Sequence, residues 1–186
     1  MAFSERTIPR LPAFSPIVLG FNEPDHPKQS NMTVFEAAQF WPTLRSKAGK
    51  LGSPAMAGNP VSTGSWLVSF MSQMENYTEF VAMHWYKGVN ASRFKSDVQS
   101  VCNKFRKPVW VTEFAPQTYG NALVYPNKYS LNEVVSFMTK VTKWMNNNSC
   151  VSAYAWHDPR HGTSALYSNT SLNSLSETGK AYAAIK

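Results

Sequence analysis

The chain predicts an α/β fold built around a parallel sheet, closest in plan to a partial (β/α)8 TIM barrel. Three observations lead there. Short, nearly continuous apolar runs alternate with segments of helical period, as strands covered on both faces do. Two of those runs end in a glutamate, in IVLGFNEPD (Ile17 to Asp25) and in PVWVTEFA (Pro108 to Ala115). Glu23 and Glu113 lie 90 positions apart, three strand–helix units of about 30 residues, so both fall at the C-terminal ends of their strands.

The elements follow in order. Strand one is read over Ile17–Phe21. A helix over about Thr33 to Lys47 brings Phe35, Ala38, Gln39, Trp41 and Leu44 near one face, and Thr33 with Glu36 forms a capping-box signature. Strand two is Lys50–Ser53, followed by a helix within Ser65–Met74. Strand three is Phe80–Tyr86, then a helix over about Ser92–Phe105, then strand four at Val109–Glu113. A long loop, Ala115–Tyr129, precedes a helix at Leu131–Met145 with Val134, Val135, Met138, Val141 and Met145 on one stripe. Strand five is Val151–Trp156, and a short helix closes the chain near Glu177–Ala184. Strand side chains alternate, so His84 and Tyr86 share a face and Trp85 takes the helix side.

Composition narrows the class. The 186 residues, 43% hydrophobic and 13% aromatic, suffice for one core and predict a single domain over 1–186. The formal charge of +7 is scattered, with no zinc, helix-turn-helix or RNP-type pattern, so nucleic acid is not an expected partner. No apolar run is long enough to span a membrane. Cys102 and Cys150 leave two readings open, one disulfide or two buried thiols, and they are too few for a metal site; no cofactor is called for. Asn-X-Ser/Thr acceptors at Asn31, Asn76, Asn90, Asn147 and Asn169 hint at secretion, although residues 1–16 lack the apolar core of a signal peptide. Six Trp and eight Tyr suit either core packing or stacking on the apolar faces of sugar rings.

Five stretches carry a resemblance: LGFNEPD, KLGSPAM, FVAMHWY, KPVWVTEFA and SAYAWHDPR. Their order and spacing resemble glycoside hydrolase family 128, endo-β-1,3-glucanases with the glycosyl hydrolase catalytic core, and the closing SLNSLSETGKAYA resembles the family's last turn and helix. The resemblance runs from Ile17 to Ile185. It implies that the five strands correspond to strands four to eight of the barrel, with the first three βα units absent and the domain truncated at its N-terminus. It implies Glu23 as general acid/base and Glu113 as nucleophile of a retaining, two-glutamate hydrolysis of cell-wall β-1,3-glucan. Asn22 would bind the hydroxyl beside the reacting carbon, Tyr86 would hold Glu113, His84 would line the same floor, and Trp156 would form a platform under the reacting sugar. Asp158 and Arg160 could reach the rim. His157 departs from the pattern, which leads one to expect an aromatic there. With the strands so numbered, Cys102 lies late in the helix before the seventh and Cys150 begins the eighth, which would put both at the bottom of neighbouring strands, where a disulfide is geometrically possible.

The expected partner is a β-glucan polysaccharide or oligosaccharide, met outside the cell or in the wall. The alternative is a truncated, inactive glucan-binding paralogue or a gene fragment, whose open barrel edges would invite self-association.

Overall fold

The structure, a computed structural model, describes residues 1–116, 127–158 and 161–185. Most of the long loop read over 115–129, and Arg160, lie outside the described residues. The element order is β1 (Ser15–Leu19), α1 (Val34–Ser46), β2 (Ala48–Gly52), α2 (Trp66–Met74), β3 (Val81–Trp85), α3 (Ala91–Phe105), β4 (Val109–Phe114), α4 (Leu131–Asn146), β5 (Val151–Trp156) and α5 (Glu177–Ala183). This is an α/β fold with parallel sheets. β1 and β2 pair in parallel, with Val18 opposite Leu51 and Leu19 opposite Gly52. β3, β4 and β5 form a second sheet in that order, and a parallel bridge between Gly52 and Phe80 extends β2 to the approach of β3.

By its internal contacts the chain divides into two compact units, Met1–His84 with Gln99–Thr112, and Trp85–Val98 with Glu113–Lys186. The first is built on an aromatic run. Phe21 tilts against Trp41 at 6.1 Å, Trp41 meets Phe70 edge-on at 4.8 Å, and Phe70 stacks on Trp66 at 5.2 Å. Gly52 is required here, because a Cβ would stand 2.3 Å from the Phe80 ring. The second unit gathers Phe94, Phe114, Phe137 and Trp156, all buried. Trp85 joins them through Phe94 and Phe137, and its Nε1 donates to Asp97 Oδ2 on α3 at 3.0 Å. Trp85 thus takes the helix side, as alternation predicts.

β3 is buried at every position, the signature of a strand covered on both faces. The capping box read at Thr33 and Glu36 is formed, and a second one stands at Ser130 and Glu133 of α4. Two faces differ from the sequence reading. α1 buries Ala37, Trp41 and Leu44, while Phe35 is 69% exposed. α4 buries Phe137 where Val135 was expected, because Phe137 fills the space against Trp85 and Phe94. Both cysteines are disulfide-bonded, so the thiol alternative falls away. Among the described residues no helix is long and apolar enough to cross a membrane.

Candidate active site

In the first unit, β1 leads into a tight turn. Gly20 passes so close to the next segment that a Cβ would lie 2.8 Å from Pro54 N. Asn22 then forms a parallel bridge with Ala55, and Glu23 N donates to Ala55 O at 2.8 Å. Glu23 has φ of 44°, a left-handed conformation that costs a residue with a Cβ about 1–2 kcal/mol and persists only where the surroundings enforce it. They do so here. Met32 N donates to Pro24 O at 3.0 Å, Trp66 Nε1 holds Met32 O at 2.8 Å, and Asp25 accepts from Ala57 N and Gly58 N at 2.9 and 2.8 Å.

The turn delivers Glu23 to His84, the fourth residue of β3. His84 Nδ1 and Glu23 Oε1 are 2.9 Å apart, with the side chains 2% and 12% exposed. One hydrogen serves this contact in either direction: the imidazole donates to the carboxylate, or the carboxylic acid donates to Nδ1. Asn22, 7% exposed, donates through Nδ2 to Gln29 Oε1 at 3.1 Å. Glu23 and His84 are therefore direct neighbours, and Asn22, next to Glu23 in the chain, is tied to Gln29. Gln29 and Asp25 support this turn, the one on Asn22 and the other on the backbone of Ala57 and Gly58; Gln29 carried no signal in spacing or motif, and Asp25 only closed the stretch LGFNEPD.

In the second unit, Tyr86 follows β3 directly and its hydroxyl donates to Glu113 Oε2. Glu113 is the fifth residue of β4 and is half-buried. Backbone bonds hold the strand ends together here, from Ala115 N to Trp85 O at 3.3 Å and from His157 N to Phe114 O at 3.0 Å. The His157 ring stands edge-on to Tyr86, with centroids 5.2 Å apart and planes at 87°. Trp156 is 6% exposed. Its ring meets Phe114 edge-on at 5.1 Å and its Nε1 donates to Ser164 O at 2.9 Å. The packing that the sequence left open for Trp156 accounts for most of its surface. Asp158 accepts from Leu166 N at 3.1 Å.

Chemically, each unit presents a carboxyl group at the C-terminal end of a strand, in contact with a neighbour that carries an exchangeable hydrogen. Among the described residues no cluster of His, Cys, Asp and Glu could hold a metal ion. Such a carboxyl can take or give a proton, or attack carbon.

A family model described as glycosyl hydrolase catalytic core matches residues 5–182. Alkali-sensitive linkage protein 1 of Schizosaccharomyces pombe is 33% identical over 179 residues; the match covers 89% of this chain and 32% of that protein, so the chain spans about a third of that relative. Among solved structures, a subgroup I endo-β-1,3-glucanase of glycoside hydrolase family 128 from Amycolatopsis mediterranei, in complex with laminarihexaose, is 31% identical. Its TM-score is 0.84, over 98% of this chain and 77% of that one. A subgroup VII oligosaccharide-binding protein of the same family from Trichoderma gamsii is 27% identical with a TM-score of 0.78, over 95% and 70% of the two chains.

Proposed function

We propose, from the premise that this chain belongs to the glycosyl hydrolase catalytic core family, that it carries the machinery of a retaining β-1,3-glucan hydrolase. The observation that carries the reading is the pair of held glutamates. Glu23 meets His84 and Glu113 meets Tyr86, each at the C-terminal end of a strand. The consecutive strand order within each sheet supports reading β1 to β5 as strands four to eight of a (β/α)8 barrel, whose enzymes work at that rim.

Retaining hydrolysis uses two carboxyl groups about 5–5.5 Å apart, one on each side of the glycosidic bond. In this reading a Glu113 oxygen attacks the anomeric carbon as the bond to the leaving sugar breaks. Glu23 gives its proton to the departing oxygen, which leaves a glucosyl ester on Glu113 and a carboxylate on Glu23. Glu23 then takes a proton from water, the water oxygen attacks the same carbon, and the ester bond breaks to restore Glu113. Two inversions leave the configuration unchanged.

The neighbours have separate tasks. Tyr86 donates to Glu113 Oε2 and so removes rotational freedom from the carboxylate that attacks. His84 holds Glu23 through a contact that survives the move of the proton between carboxyl and imidazole. Asn22 has one amide hydrogen on Gln29, which leaves the other and Oδ1 for the hydroxyl beside the reacting carbon. Trp156 serves as floor beneath the sugar, its ring braced edge-on by Phe114. Action outside the cell or in the wall is supported by the exposure of all five sequon asparagines.

The test is release of oligosaccharides from laminarin, with the anomer of the first product followed by proton NMR. Retained configuration and complete loss in Glu113→Ala are expected; inversion, or release that persists in that variant, overturns the mechanism. A second reading, glucan binding without cleavage, is favoured by the oligosaccharide-binding relative at 27% identity. It predicts that intact laminarihexaose binds and is recovered uncut.

A further inference from the structure

His157 has no part in the mechanism above, yet its ring is placed beside Tyr86, which holds Glu113. Its two ring nitrogens differ. Nδ1 is sealed from solvent and has no hydrogen-bond partner among the described residues. Only Ser30 Oγ shares that condition among the described residues. Nε2 is not sealed in this way: it bonds no described residue and keeps contact with solvent, on a side chain that is half-buried. A neutral imidazole carries one hydrogen. A buried N–H without an acceptor is rarer and costlier than a buried lone pair without a donor. The hydrogen therefore belongs on Nε2, the nitrogen open to a ligand.

Resting on the glucan reading, we infer that His157 is a substrate-binding residue whose Nε2–H donates to a hydroxyl oxygen of the glucosyl unit held against Glu113. The ring is fixed for this purpose. Its backbone N–H is tied to Phe114 O, and its edge-on contact with Tyr86 sets the plane of the imidazole relative to the phenol. A sugar hydroxyl accepts readily from a neutral N–H, and a donor that is already oriented loses little freedom on binding.

Two measurements test this. The first is the imidazole nitrogen spectrum of the full chain, assigned by comparison with His157→Phe. A hydrogen on Nε2 is expected, and a hydrogen on Nδ1 overturns the inference whatever the chain binds. The second is calorimetric titration of laminarihexaose into Glu113→Gln, with and without His157→Phe. Phenylalanine keeps an aromatic edge against Tyr86 and removes only the donor. About five- to tenfold weaker binding in the double variant, at unchanged melting temperature, is expected for one lost hydrogen bond. Equal affinity overturns the inference and leaves the glucan reading intact. If Glu113→Gln itself binds no laminarihexaose, the glucan reading fails, and this inference fails with it.

Discussion

The two glutamates are held in different ways. Glu23 stands on a turn, at a φ of 44°, and is fixed by a chain of backbone bonds; its side-chain partner is an imidazole. Glu113 stands inside β4 on ordinary extended backbone, and its partner is a phenol. A neutral phenol donates one hydrogen and has no basic nitrogen to accept one at neutral pH. An imidazole can do both. The difference fits the proposed division of labour, in which one carboxyl changes protonation state and the other attacks. It also teaches that β4 orients its glutamate on unstrained backbone, whereas the turn after β1 does so with a left-handed residue.

Predictions follow from breaking that contrast. The largest concerns the leaving group. Glu23→Ala should lose about 10²–10⁴-fold on laminarin but form the glucosyl ester nearly normally from a nitrophenyl β-glucoside, whose leaving group needs no acid. Glu113→Ala should be inactive on both, and the reverse pattern would exchange the two roles. Next, Tyr86→Phe should lower kcat about 10²-fold, as loss of one oriented donor does, with KM nearly unchanged; a change confined to KM would make Tyr86 a binding residue.

Smaller effects test the backbone. At position 23, Gly should be more stable than Ala by about 1 kcal/mol, because only Gly adopts positive φ without strain. At position 113 the order should reverse by about 0.5–1 kcal/mol, because Gly weakens a strand. Equal ordering at both sites, measured by urea unfolding, would remove the strained-turn argument.

The smallest concern the two caps, one at the head of α1 and one at the head of α4. Ser130→Ala should cost about 0.5 kcal/mol, the low end for a cap, because this one is exposed to solvent. Hydrogen bonds from the Ser130 hydroxyl and backbone hold Glu133 below the ordinary carboxylate value, and those from the Thr33 backbone and hydroxyl do the same for Glu36. A folded value below the unfolded one means that the contribution is full above the unfolded value and fades as pH falls through the folded one. The melting-temperature gap between the parent and Glu133→Gln should therefore close in acid. A gap independent of pH would mean that the carboxylate charge plays no part in the cap.

Much of the fold was legible because its signals are local. Apolar runs gave all five strands to within a few residues, and Thr33 with Glu36 marked the start of α1. Phe35 was misjudged for a reason of the same kind: a 3.6-residue period fixes which residues share a face, not which of two adjacent apolar faces meets the core. Gln29 left no trace, and Asp25 and His157 stood in quoted stretches without a role, since each acquires its place through contacts that only folding creates. Family resemblance nominated His84 and Tyr86 and paired Tyr86 with Glu113; only folding supplied Glu23 as the partner of His84.

By itself, then, the sequence determined the alternation of strands and helices and the delivery of two glutamates to strand ends, because periodicity and turn chemistry act over a few neighbouring residues. Tertiary structure alone decided that Glu23 meets His84 across 61 positions, and it brought Tyr86 to Glu113 across 27. It likewise decided that the Nδ1 face of His157 is closed while Nε2 stays open. Hydrogen bonds between distant residues depend on where the backbone brings them, and no local pattern encodes that.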